Sequence, residues 1–138
     1  SLKNRNYLND NIDSWDESLV NPQGLVIVDL NNIAYINDNY GHAEGDNVIK
    51  EAANILIKNQ ISNTEIMRTN GNEFLIYMVG YDEKQIIDYT RILSKELKEL
   101  PHEFGATLGY SMILDDVKTI DDAINEATLS MRQAKEKL

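Results

Sequence analysis

Asp29 closes the apolar run Leu25-Val26-Ile27-Val28 and is followed by Leu30. A carboxylate at the end of such a run sits where a buried strand meets solvent, a place where a fold can hold a divalent cation. Further on, Asn70-Gly71-Asn72-Glu73 separates two more apolar segments. Two carboxylates on adjacent strand ends can hold metal, which neutralises a triphosphate and activates a hydroxyl for nucleotidyl transfer. Asp29 supplies one such carboxylate. Position 72, its natural partner, is asparagine, and Glu73 follows it. Both places also have plainer readings. Asp29 can cap a strand-to-helix junction, and Asn70-Gly71 suits a type I′ hairpin turn because both residues tolerate positive φ.

The elements that must position these residues follow from periodicity. Residues 4–19 predict a helix with Tyr7, Leu8, Ile12, Trp15 and Leu19 on one side. Asn21-Pro22-Gln23-Gly24 is a turn, and residues 25–30 form a strand apolar throughout, hence central and buried on both faces. Asn31 or Asn32 is expected to cap a short helix ending near Asn39, and Tyr40 to Asp46 a tight loop. A long helix then runs to about Lys58, with Val48, Ala52, Ile55 and Leu56 at helical spacing. Glu65–Arg68 and Glu73–Val79 make a hairpin about Asn-Gly, and residues 82–99 an amphipathic helix. Phe104–Ile113 is a strand. The last helix starts at Thr119, where Asp122 three residues on completes a capping box. Trp15 and the tyrosines fall on helical stripes or strands and are expected to pack. The order is a helix followed by β-α-α-β-β-α-β-α. Its β-α-β-β-α-β core is the split pattern of an α+β, palm-like, mostly antiparallel sheet flanked by helices. The hairpin then lies beside the end of the first of these strands.

Composition narrows the partners. The chain has 138 residues, a net charge of −10, 42% hydrophobic residues and no cysteine. One domain spanning residues 1–138 accounts for that length. Disulfides and thiolate metal sites are excluded, and no apolar run is long enough to span a membrane. The acidic balance argues against nucleic acid as a partner. A small anionic ligand would need a local cation or a metal to offset the field.

These residues carry a resemblance. Val28-Asp29-Leu30-Asn31-Asn32-Ile33-Ala34-Tyr35-Ile36-Asn37-Asp38-Asn39-Tyr40-Gly41-His42-Ala43-Glu44-Gly45-Asp46 resembles the signature D-x-D-x-F-K-x-x-N-D-x-x-G-H-x-x-G-D. Arg68-Thr69-Asn70-Gly71-Asn72-Glu73-Phe74 lies where the same family carries R-x-G-G-D/E-E-F. That family is the GGDEF, or diguanylate cyclase, domains. Leu2-Lys3-Asn4-Arg5-Asn6-Tyr7-Leu8 is similar to its opening G-L-x-N-R-R-x-F, and Ala106-Thr107-Leu108-Gly109-Tyr110 to its later S-I-G strand. Residues 127–135 resemble its terminal A-D-x-A-L-Y-x-A-K helix.

The resemblance implies condensation of two GTP molecules into cyclic di-GMP, one GTP per subunit of a dimer. It puts Asp29 on the first metal-binding aspartate and Leu30 where a backbone carbonyl contacts the metal, expected to be Mg²⁺. Asn37 and Asp46 fall on the pair that reads guanine. Asparagine donates and accepts at once, and a carboxylate accepts from guanine N1–H and N2–H. Lys135 falls on a phosphate-contacting lysine, with a solvated helix face as its plainer role. Glu73 falls on the second acid of the signature, and His42 on a structural hydrogen bonder.

The departures are as specific. Asn72 replaces the acid that binds metal, Ala34 a lysine, and Asn31 and Ile33 an aspartate and a phenylalanine. Asn70, which with Gly71 falls on the family's nucleotide-contacting turn, replaces a glycine that lets the hairpin approach the nucleotide closely. An amide oxygen can coordinate a cation, but without charge. The family's R-x-x-D motif of product inhibition would fall on Ile61-Ser62-Asn63-Thr64 and is absent, and the sequence ends at Leu138 before the family's G-R-N. The expectation is a degenerate domain excised from a larger signalling protein, with a weakened Mg²⁺ site, acting as a GTP-binding or protein-interaction module. The alternative is a weakly active cyclase using Asp29 and Glu73. Expected partners are GTP, neighbouring domains and a second copy of the chain. This segment is expected to touch no membrane and to lie in the cytoplasm, either free or as the cytoplasmic domain of a membrane-anchored protein.

Overall fold

A computed structural model describes residues 2–18 and 20–138. Its elements in chain order are β1 (Leu2–Asn4), α1 (Arg5–Asp16), β2 (Gln23–Leu30), α2 (Ile33–Tyr40), α3 (His42–Lys58), β3 (Thr64–Asn70), β4 (Glu73–Val79), α4 (Glu83–Leu97), β5 (Ala106–Ile113) and α5 (Ile120–Lys135). The strands form one sheet in the order β1-β3-β4-β2-β5. Every pairing is antiparallel except β1 with β3. This is the α+β sheet that the alternation predicts.

β2 lies between β4 and β5 and is buried on both faces, as its unbroken apolar run requires. Because side chains alternate, Val26, Val28 and Leu30 join one core with residues of α2, α3 and α4. Leu25 and Ile27 join the other, with Leu8 of α1 and Ala123, Ala127 and Met131 of α5. Trp15 stacks on Tyr77 at 4.0 Å between ring centroids, which fastens α1 to β4.

The capping box at Thr119 is present: Asp122 N–H donates to Thr119 Oγ1 at 3.1 Å and Thr119 N–H to Asp122 Oδ2 at 3.2 Å. α4 carries a second such box, formed by Asp82 and Gln85. Among the described residues no helix is long and apolar enough to cross a membrane.

Several local expectations need correction. The first helix ends at Asp16, and Leu19 lies outside the described residues. Asn32 occupies the start of α2 at φ 61° without a capping hydrogen bond. Asn31 instead reaches across the sheet, donating to the Phe104 carbonyl at 3.1 Å and accepting from Thr107 Oγ1 at 2.8 Å. The expected loop from Tyr40 to Asp46 shrinks to Gly41, whose φ of 90° lets α3 begin at His42. The hairpin turn falls on Gly71-Asn72, with Asn70 opposite Glu73 and an irregularity between Arg68 and Asn70. Neither Asn70 nor Gly71 is among the positive-φ residues, so the type I′ reading fails, and the register shift leaves Thr69 as an extra residue in β3. Of the apolar positions of α4, Ile86, Leu93 and Leu97 are buried, whereas Ile92 is 52% exposed.

Burial pushes the hydroxyls of Tyr77 and Tyr89 up to about 12, with lesser contributions from Asp16 and from Tyr81 respectively. Their ordinary value is about 10, so the neutral form is favoured in the fold and its stabilisation is complete below pH ~10. It should be lost as pH rises from about 10 to 12, by up to ~2 kcal/mol per tyrosine. Urea unfolding across that range, beside a Tyr77→Phe/Tyr89→Phe variant with a flatter profile, is the check.

Candidate functional site

Asp29 is the penultimate residue of β2, paired in register with Glu73 on β4 and Thr107 on β5. By alternation its side chain leaves the sheet on the α5 face. The last turn of α5 then brings Lys135 down onto it, with Nζ 2.7 Å from Asp29 Oδ2. The pair is sheltered: side-chain exposure is 31% for Lys135 and 16% for Asp29. The other carboxylate oxygen, Oδ1, accepts from the Asn72 side-chain amide at 3.0 Å, and the same nitrogen lies 3.3 Å from the Leu30 carbonyl. Both partners of that amide only accept, so its NH₂ end must face them. The backbones are joined as well, Leu30 N–H donating to the Asn72 carbonyl at 2.9 Å.

Glu73 is the cross-strand neighbour of Asp29, yet its carboxylate turns back into its own hairpin. Its Oε2 accepts from Thr69 Oγ1 at 2.8 Å and from the Asn70 amide at 3.2 Å. Two arginines brace the loop from outside. Arg68 donates to the Gly71 carbonyl, with Nη2 at 2.6 Å, and Arg5 Nε to the Thr69 carbonyl at 2.9 Å. Asn70 and Gly71 line a shallow cleft of about 300 Å³ with these arginines. A Cβ on Gly71 would meet no heavy atom within 4 Å, and its φ lies outside the left-handed range. Neither packing nor backbone geometry within the chain therefore demands glycine there.

Asn37 and Asp46 stand on the opposite face, on α2 and α3. The Asn37 side chain lies directly over Gly45, where any Cβ would collide with Oδ1. That oxygen is buried and has no hydrogen-bond partner among the described residues. Asp46, one residue on, is exposed and lines a cleft of about 260 Å³ with Leu2, Ile49, Lys50, Arg68 and Phe74.

Asp29, Leu30, Asn72 and Lys135 thus form one contact network, with Glu73 beside it but engaged elsewhere. No hydrogen bond links Asn37 or Asp46 to that network. Arg68 borders both the Asp46 cleft and the Asn70-Gly71 cleft, so it spans the two halves. Arg68, Arg5 and Lys50 carry no chemical signal in the sequence beyond the place of both arginines within the family-like segments 2–8 and 68–74. His42 is exposed and its side chain makes no hydrogen bond among the described residues, contrary to its expected structural role. His102 does that work instead, with Nε2 2.6 Å from Glu44 Oε2 and its ring 4.5 Å from that of Tyr40. At φ 71° it occupies a backbone region that no helical or strand pattern announces.

Comparison with known proteins agrees with this fold. The family model "Diguanylate cyclase, GGDEF domain" matches residues 1–138. The chain belongs to the GGDEF domain family. The diguanylate cyclase DgcS of Shewanella oneidensis is 29% identical over 110 residues, covering 77% of this chain and 37% of that protein. The cyclic di-GMP phosphodiesterase PdeR of Escherichia coli is 33% identical over 135 residues, covering 96% of this chain and 20% of that protein. This GGDEF chain therefore spans well under half the length of these relatives. The crystal structure of a sensory box/GGDEF family protein from Caulobacter crescentus superposes with a TM-score of 0.82 at 25% identity, covering 98% of this chain and 94% of that one.

Replacing Lys135 by methionine should leave Asp29 with a single donor and lower stability by about 1–2 kcal/mol, because a half-buried charge loses its partner. The exposed Lys84–Asp88 pair of α4 is the control: Lys84→Met should cost under ~0.5 kcal/mol. Urea unfolding of both variants in low and high salt checks the contrast.

Proposed function

We propose that this GGDEF domain is a guanine-nucleotide-binding regulatory module within a larger cyclic di-GMP signalling protein, impaired as a cyclase. The observation that carries the reading is Asn72, which faces Asp29 as a neutral hydrogen-bond donor where the family signature places an acid. Transfer of a nucleotidyl group depends on neutralising phosphate charge at that point, and losing one carboxylate removes much of the means to hold a cation there.

Retention of the base site is supported separately. The buried Asn37 oxygen has no partner among the described residues, and Asp46 opens onto the neighbouring cleft. A guanine edge offers N1–H and N2–H donors to match two such acceptors. Gly71 fits the same reading, since a closely approaching ligand is a reason for glycine that the chain's own packing does not supply. The match to PdeR, a protein named for cyclic di-GMP hydrolysis, is compatible with a GGDEF domain serving as a module rather than as the source of product.

Titration calorimetry with a non-hydrolysable GTP analogue, with the ATP analogue as control, is the test. Guanine-selective binding is expected, weakened at least tenfold by Asn37→Ala or Asp46→Ala. Absence of binding would leave a domain that acts through protein contacts alone. Cyclic di-GMP formation by the unaltered chain would overturn the claim of impairment and favour the weak cyclase that uses Glu73. In the proposed reading, formation requires at least Asn70→Gly with Asn72→Asp.

A further inference from the structure

Three oxygens lie at the end of β2: Asp29 Oδ1 and the Leu30 carbonyl, which share one amide nitrogen, and Asp29 Oδ2, which faces Lys135. They are the hard acceptors that a magnesium or calcium ion would use. Each already has an N–H partner. The Asn72 amide nitrogen sits 3.0 Å from Asp29 Oδ1 and 3.3 Å from the Leu30 oxygen, and Lys135 Nζ sits 2.7 Å from Asp29 Oδ2. A cation held by Oδ1 and the Leu30 carbonyl at ordinary coordination distances of ~2.0–2.6 Å would have to occupy the place of that amide nitrogen. The residues present therefore do not fit the magnesium that the family resemblance implies.

The charges agree with the geometry. Asp29 and Lys135 cancel and Asn72 is neutral, whereas an acid at position 72 would bring the same three groups to a charge near −1. Divalent-ion affinity follows ligand charge. Glu73, the nearest further acid in register, is bound to Thr69 and Asn70. Among the described residues no group of three acidic or histidine side chains gathers about one point. Turning the Asn72 amide over would offer a third oxygen without charge, and Lys135 would still lie on Asp29 Oδ2.

We propose that Lys135 is the resident cation of this site: with Asn72 it satisfies the acceptors at the end of β2, and this locus takes no divalent ion. The inference deepens the proposed function and rests on it only in taking Asp29 as the family's metal position. Its consequence is that Asp29 contributes no cation to nucleotide binding by this domain. A phosphate reaching this end of the sheet meets a lysine already shared with Asp29.

Manganese alone, titrated into the full chain and followed by electron paramagnetic resonance, tests the claim without any nucleotide. In the unaltered chain, Asp29→Asn should leave manganese binding unchanged, because whatever ion is taken up elsewhere on an acidic surface does not involve Asp29. The Asn72→Asp/Lys135→Met double variant should gain one site at least tenfold tighter than any in the parent, and a further Asp29→Asn change should remove it. A single site in the parent that Asp29→Asn abolishes would overturn the proposal. So would a folded double variant, verified by circular dichroism, that gains no site. If the double variant does not fold, the comparison of the parent with Asp29→Asn decides alone. A failed nucleotide titration would leave the manganese result standing, so the two readings fall separately.

Discussion

A strand buried on both faces can carry a charge only where it leaves the core, and then only with a partner waiting. β2 is such a strand, and Asp29 is placed at its one permissible position. From there the remaining arrangement follows. The pleat aims the carboxylate at the α5 face. The antiparallel register brings the Gly71-Asn72 turn alongside. The length of α5 delivers Lys135 at the same height. The three contacts come from segments distant in sequence, and each is fixed by the core rather than by local preference.

The framework could be read in advance because its signals are strong and mutually consistent. The unbroken apolar run of β2, the amphipathic α3 and α4 and the Thr119 box each state an element without ambiguity. Joints were less legible. Asn32 and His102 adopt positive φ with little in their neighbours to demand it, and a single glycine serves as the whole connection between α2 and α3. The three-residue β1 was missed because its only support is parallel pairing with β3, a long-range contact with no periodicity of its own.

The site shows the same division. Motif spacing pointed to Asp29, Leu30, Asn37, Asp46 and Lys135, but spacing does not say which side chains touch. That Lys135 lies on Asp29 depends on how far α5 runs across the sheet. That Glu73 turns to Thr69 and Asn70 depends on the bulge, which takes it away from its cross-strand neighbour. Arg68 could not be singled out in sequence because its importance is positional: it borders two clefts and ties the hairpin loop between them. The bulk charge of −10 proved a poor guide to this spot, where the local sum of Asp29, Lys135 and Asn72 is close to zero.

The stacking of Trp15 on Tyr77 has a bearing on how the domain can be observed. Trp15 is the only tryptophan in the chain, and Tyr77 belongs to β4, the strand that leads back from the hairpin turn. The neighbouring Asp16 accepts the first backbone N–H of α5 at 2.7 Å, the helix whose far end carries Lys135. One indole therefore sits at the meeting point of the N-terminal helix, the strand of the signature hairpin and the helix that supplies the site's ammonium group. Its emission is an intrinsic optical gauge of whether α1 stays seated while either end of the molecule is pulled, bound or rearranged.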